Sequence, residues 1–219
     1  MFTPEMFNLL WSGICETLYM TVVSTLLAYA IGLPLGVLLC VTDKDGIRPV
    51  FWLNRILGFL INIVRSVPFL ILLVAVIPLT RAVVGTIIGS TATIVPLVIA
   101  AAPFVARMVE SSVKEVDKGV IEAAQSMGTS PFQIIRKVLL PEAKPSLLVG
   151  SAIAITTILG YSAMAGFVGG GGLGAIAVNY GFYRYDAETM WITVLLLVVI
   201  VQVFQELGMM IARRTDKRN

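Results

Sequence analysis

The spacing of its charges limits this chain more than any other feature. Five runs contain no Asp, Glu, Lys or Arg: Thr17–Thr42 with 26 residues, Ser66–Thr80 with 15, Ala82–Ala106 with 25, Pro145–Tyr183 with 39 and Thr189–Gln205 with 17. A helix needs ~20 mostly apolar residues to cross a bilayer, and only a helix or a closed barrel satisfies its backbone there. The first and third runs are complete spans. The fourth is too long for one helix and contains GGGGLG at Gly169–Gly174. A helix tolerates such a glycine run poorly, so this span ends near Ala165 and a flexible, tightly turning loop follows. The second run extends back past Arg65 towards Leu57, and the fifth forward through Glu206 to about Ile211. The expectation is an all-α integral membrane chain with five transmembrane helices, at about 17–42, 57–80, 82–106, 145–165 and 189–211. The segments 107–144 and 166–188 then lie on opposite sides of the membrane.

Composition agrees. Hydrophobic residues make up 58% of the 219 and charged residues 13%, against about a quarter charged in a soluble domain. Five spans put the two termini on opposite sides. Thirteen of the 16 Lys and Arg fall on one side: Lys44, Arg48, Arg55, Arg107, Lys114, Lys118, Arg136, Lys137, Lys144, Arg213, Arg214, Lys217 and Arg218. The positive-inside rule makes that side cytoplasmic, with the C-terminus inside and the N-terminus outside. The opening MFTPEMFNLL carries no Lys or Arg, so it lacks the basic region of a signal peptide. The net charge of +3 reflects cations at the ends of apolar runs, which fits topology better than contact with nucleic acid.

Several chemistries are missing. There is no histidine, which removes histidine zinc sites, Ser-His-Asp catalysis and imidazole proton relays. If one helix holds both Cys15 and Cys40, ~37 Å separates them and no disulfide joins them. Ion-coupled carriers usually keep acids within their spans. Here Glu16 sits at the outer edge of the first span and Glu206 towards the inner end of the fifth. The glycine run is no phosphate loop, because Ala175 and Ile176 follow Gly174 where Lys and Ser/Thr are needed. Prolines recur inside the spans, at Pro34, Pro68, Pro78, Pro96 and Pro103, as in kinked helices around a cavity. The chain reads as a transport pathway without its own energy source, so uphill transport needs a partner.

One segment is built like soluble protein: EAAQSMGTSPFQIIRKVLLPEA, Glu122–Ala143. A helix from about Val116 to Met127, with Asp117 as N-cap, places Val116, Val120, Ala123 and Met127 on one stripe. Gly128 suits the left-handed position after a helix end. Ser130 caps a second helix with Pro131 at N1 and Gln133 at N3, a capping box. Ile135, Val138 and Leu139 give that helix an apolar face, and Pro141 ends or kinks it. A well-made connecting loop has the same features. Two details favour contact with another protein: Ala123 and Ala124 keep the surface low, and the short second helix joins the next span stiffly.

Glu122-Ala123-Ala124, then Gly128, then Val138-x-Leu140-Pro141 resembles the EAA signature of binding-protein-dependent ABC importer permeases, with Val138 in place of Ile as the single departure. RSVPF at Arg65–Phe69, APFVARMVE at Ala102–Glu110, GYSAMAG at Gly160–Gly166 and the glycine run are similar to the permeases of methionine importers. The resemblance implies a type I ABC importer permease fold in a bacterial inner membrane and a non-catalytic subunit that binds no cofactor or metal. It further implies a homodimer, two cytoplasmic ATPase subunits carrying ATP and Mg, and an extracytoplasmic substrate-binding protein. Glu122, Ala123, Ala124, Met127, Gly128, Ser130, Leu140 and Pro141 would then couple to the ATPase. Along the fourth span, Ser146, Gly150 and Ala154 make small-xxx-small steps suited to close packing, and Thr157, Tyr161 and Met164 continue roughly that face. Either these residues only pack, or Thr157, Tyr161, Ser162 and Met164 line a pathway and gate. Arg65 and Pro68 are read as structural. The same permease role for another amino acid or small polar solute is the nearest alternative, and an autonomous channel or secondary carrier is the different-class one.

Overall fold

The computed structural model describes residues 4–215, so Lys217 and Arg218 of the cation tally lie outside the described residues. Every regular element among them is helical. Helix α1 runs Pro4–Thr42, α2 Phe51–Ser66, α3 Phe69–Ala75, α4 Ile77–Val84 and α5 Ser90–Lys114. Then come α6 (Lys118–Ser126), α7 (Pro131–Ile134), a π turn (Ile135–Leu139), α8 (Leu140–Met164), α9 (Gly172–Ile176) and α10 (Ala187–Thr215). Four stretches are long and apolar enough to cross a membrane, and α2 with α3 forms a fifth candidate bent by 101°.

Helices α1 and α5 form the centre. A Cβ at Gly32 would lie 2.7 Å from the Ala102 carbonyl oxygen and 2.8 Å from Val105. Gly36 faces Ala106 and Val109 as tightly. Glycines four residues apart let two backbones approach, and in a bilayer, where no hydrophobic force draws helices together, such close packing favours their association. Met20, Ala28, Leu97, Val105 and Val109 fill the space between these helices and α8. Cys15 and Cys40 both lie on α1, as free thiols.

The expected second and third spans are redrawn. Residues 57–80 are not one helix: Pro68 caps α3 with φ −56 and ψ 137, and Val67 before it is extended, as a residue preceding proline must be. The third span begins at Ser90 rather than Ala82, because Ala82–Val84 belong to α4 and Gly85 (φ 82) and Gly89 (φ 97) turn the chain between. It continues to Lys114, eight residues beyond Ala106.

The fourth region also differs. Pro141 does not end the hairpin's second helix, which stays helical into α8. The π turn is the reason. Leu140 N–H donates to the Ile135 carbonyl, five residues back, and Pro141 comes next, with no N–H and a ring that collides with a regular α turn. The wider turn accommodates the ring. The GGGGLG run is not a flexible loop. Gly172, Leu173, Gly174 and Ile176 are buried in α9, and a 3-10 turn at Ala165–Val168 and a π turn at Ala177–Phe182 flank it. Glycine is needed for contact. A Cβ at Gly174 would meet the backbone of Ala163, and one at Gly172 would lie 2.5 Å from Thr17 Oγ1. The first helical amides are capped across the molecule: Gly172 N–H donates to Glu16 Oε2 at 2.7 Å and Leu173 N–H to Thr17 Oγ1 at 2.9 Å. Gly89 N–H also donates to the Gly169 carbonyl at 2.9 Å.

Candidate functional site

The polar hairpin is formed by α6 and α7. Asp117 Oδ1 accepts from Gly119 N–H at 2.7 Å, the expected N-cap. At the other end Gly128 has φ 72, with Gly128 N–H donating to Gln125 O at 2.9 Å and Thr129 N–H to Ala124 O at 3.2 Å. Those two bonds define a Schellman motif, which satisfies the last carbonyls of α6. Ser130 N–H donates to Gln133 Oε1 at 3.3 Å, the returning arm of the capping box. Each end of the hairpin is thus fixed by a local bond, and the turn is stiff.

The stripe read from the sequence does not seat the hairpin. Val116 precedes α6 and is buried. Val120 and Met127 point outward, 44% and 83% exposed, and Ala123 is exposed beside them. Ile121, Ala124, Ile134 and Leu139 face the core instead. A helix beginning at Lys118 starts its own phase there, so Val116 cannot extend its face. Phe132 on α7 is 70% exposed, and with Val120, Ala123 and Met127 it makes an apolar outer surface on an otherwise polar hairpin. Glu122 is exposed and, with Gln125 and Lys118, lines a cavity of about 400 Å³ against the turn after α1. Leu140 packs against the core, and Pro141 is exposed on the surface of α8.

An ionic chain beneath the hairpin was not foreseen. Arg107 Nη1 meets Glu110 Oε2 at 2.7 Å, and Lys114 Nζ meets Glu110 Oε1 at 2.8 Å and Asp43 Oδ2 at 2.6 Å. Arg107 Nη2 donates to Gly58 O and Asn62 Oδ1, both at 3.0 Å. Glu110 is 8% exposed. Arg107 and Lys114, counted above only as topology cations, thus tie α2, α5 and the turn after α1 together. The i, i+3, i+7 spacing of 107, 110 and 114 was the available signal. Hydrogen bonding from Lys114 holds the Asp43 carboxyl below its ordinary range.

At the far end of α8, Thr157, Tyr161 and Met164 lie on a partly open face, Met164 44% exposed. Tyr161 stacks on Phe69 with ring centroids 4.5 Å apart and planes 7° apart. Phe69 directly follows Pro68, so the break between α2 and α3 is held against α8. Ser162 does not join this face: it is 1% exposed and its Oγ donates to Leu159 O at 2.7 Å, so it points away from the Met164 side. Thr157 Oγ1 donates to Ile153 O at 2.8 Å. Arg65 is exposed in the last turn of α2, where a cation suits the carbonyl end of the helix.

Four or five candidate spans, broken helices and a hairpin fused to one long helix describe a polytopic membrane protein. The family model described as "Binding-protein-dependent transport system inner membrane component" matches residues 32–217. The chain is 54% identical over 211 residues to the "Probable D-methionine transport system permease protein MetI" of Vibrio cholerae serotype O1, covering 96% of this chain and 94% of that one. It is 52% identical over 164 residues to the "D-methionine transport system permease protein MetI" of Escherichia coli K12, with 75% and 76% covered. A crystal structure titled "Inward facing conformations of the MetNI methionine ABC transporter" superposes with a TM-score of 0.97 at 49% identity, over 99% of this chain and 100% of that one. An "amino acid ABC transporter with histidines" superposes at 0.74 with 25% identity, over 96% and 95%. The chain belongs to the family of binding-protein-dependent transport system inner membrane components, and its fold is that of an ABC importer permease.

Proposed function

We propose that this chain is the membrane-spanning subunit of an ATP-driven importer of methionine, L- or D-, acting as a homodimer with two cytoplasmic ATPase subunits and an outer substrate-binding protein. The observation that carries the substrate is the agreement of relatives 44–54% identical, each named for D-methionine transport. In this reading the bent pair α2–α3 counts as one of five spans. The N-terminus is outside, and the segment 107–144 and the C-terminus are cytoplasmic. The segment 166–188 faces outward.

The hairpin is the coupling element. Glu122, Ala123, Ala124, Met127, Gly128 and Ser130 meet the ATPase, which carries ATP and Mg and performs the hydrolysis. Leu140 and Pro141 pass the motion into α8. The exposed apolar group around Met127 and Phe132 gives that contact something to bury. Thr157, Tyr161 and Met164 line the pathway, with Met164 a flexible apolar plug. Arg65 and Pro68 shape the broken second span.

The decisive experiment reconstitutes the chain with its ATPase and binding protein and follows labelled methionine uptake with unlabelled amino acids as competitors. Uptake that needs both ATP and the binding protein, and that methionine competes best, supports the reading. Uptake competed better by another amino acid moves the substrate and leaves the machine. Uptake without ATP overturns the machine itself. In the same system Met164→Ala is expected to raise methionine leak or ATPase activity without uptake. An unchanged leak removes Met164 from the gate.

A further inference from the structure

The carboxylate of Glu16 lies at the end of the molecule away from the hairpin, and nothing in the proposed function uses it. A charge within a spanning helix is costly unless it is paired. Here the pairing is with backbone. Gly172 and Leu173 open α9, a buried turn whose first amides have no partner within their own helix. Two successive residues of α1 supply the acceptors, Glu16 Oε2 at 2.7 Å and Thr17 Oγ1 at 2.9 Å. Thr17 is itself held, its hydroxyl donating to Gly13 O at 2.8 Å. A carboxylate makes the stronger of these bonds because its charge assists it.

The glycines fit this arrangement. A Cβ on Gly171 would run into Glu16 Oε2 and lie 3.1 Å from Ser90 Cβ, at the first residue of α5. The same carboxylate therefore sits where α9 starts and beside the start of α5. The segment it holds follows Met164 directly, and α1 and α5 are the closely packed centre of the fold.

We propose that Glu16 is a positioning residue for transport: its carboxylate clamps the glycine-rich segment to α1, beside the start of α5, and so fixes the outer end of α8 at Met164. This rests on the reading of Met164 as part of the gate. A push delivered through the hairpin then bends α8 against a held end instead of sliding it whole.

The test uses the complete transporter in proteoliposomes, with amide hydrogen exchange and with labelled methionine uptake measured alongside ATP hydrolysis. Glu16→Ala is expected to speed exchange in residues 166–176 by about tenfold while leaving the hairpin residues 118–134 unchanged. It should also raise the ATP consumed per methionine imported. Glu16→Gln keeps an acceptor oxygen and should fall between the two. Gly171→Ala attacks the clamp from the other side and should resemble Glu16→Ala. Combining the two should be no worse than the worse single change, since removing the Glu16 side chain leaves room for the added methyl. Unchanged exchange in 166–176, or strictly additive effects, overturns the proposal. So does exchange that rises in every helix alike, which marks a purely structural role. If the unmodified transporter imports no methionine, the functional reading fails, and the exchange data still decide the clamp.

Discussion

At Gly128 the backbone has φ 72 with two bonds of a Schellman motif closing around it. A β-branched side chain there costs about 1–2 kcal/mol. Gly128→Val should therefore loosen the hairpin turn without disturbing the bundle, and ATP hydrolysis in the assembled transporter should continue with little uptake. Normal coupled uptake by that variant would falsify the coupling role. Asp43 gives a pH prediction. Its carboxyl is held low by Lys114, so the unfolded chain binds the proton more readily. The pair stabilises the fold above the ordinary Asp value, and that contribution disappears as pH falls through the lower folded value. The melting temperature of the purified protein should fall more steeply below about pH 4 than that of Asp43→Asn; equal slopes would remove the pair from the stability of this region. The sequence made the caps at Asp117, Gly128 and Ser130 legible because each rests on local bonds spanning two to five residues. Glu16 was legible only as an edge-of-span acid, since its partner Gly172 lies 156 residues away.

Between elements, the stack of Tyr161 on Phe69 joins α8 to the break after Pro68. Tyr161→Ala removes a stacked pair worth about 0.5–1.5 kcal/mol beyond its buried area. The assembled protein should melt at a lower temperature, while Tyr161→Phe, which keeps the ring, should stay close to the parent. Should both variants melt alike, the ring contact is not what holds the break. Run lengths located the long helices, but α10 runs past Glu206 to Thr215, and backbone chemistry set the ends of others. Gly85 and Gly89 moved the start of α5 by eight residues. The π turn before Pro141 kept a helix going through a residue that normally stops one. The second half of the glycine run, Gly172–Gly174, became helical because close neighbours replaced the side chains it lacks.

For the whole molecule, sidedness can be measured directly. In a Cys15→Ser, Cys40→Ser background expressed without the ATPase, Met127→Cys should react with a membrane-impermeant thiol reagent only from the cytoplasmic side, and Tyr185→Cys only from outside; both positions are highly exposed in the chain alone, at 83% and 89%. Reversed labelling would invert the topology. The class of fold followed from run lengths, which act over the whole chain and survive local misreadings. Within the ionic chain, Arg107, Glu110 and Lys114 share one helix at a legible spacing, but the bonds to Asp43 and to Gly58 and Asn62 were hidden because those partners lie 45 to 71 residues away in the sequence.

The unbroken helical path from Pro131 through the π turn to Met164 has a consequence for how such a chain can change over generations. It covers 34 residues, about 50 Å at the rise of a helix. Replacing a side chain along it alters one contact. Adding or losing a single residue turns one end against the other by about 100°, carrying Met164 off its face or the hairpin off its seat. Length should therefore be constrained here more strictly than composition. The π turn, which already holds one residue more than a regular turn, is the place where a past insertion would leave its mark.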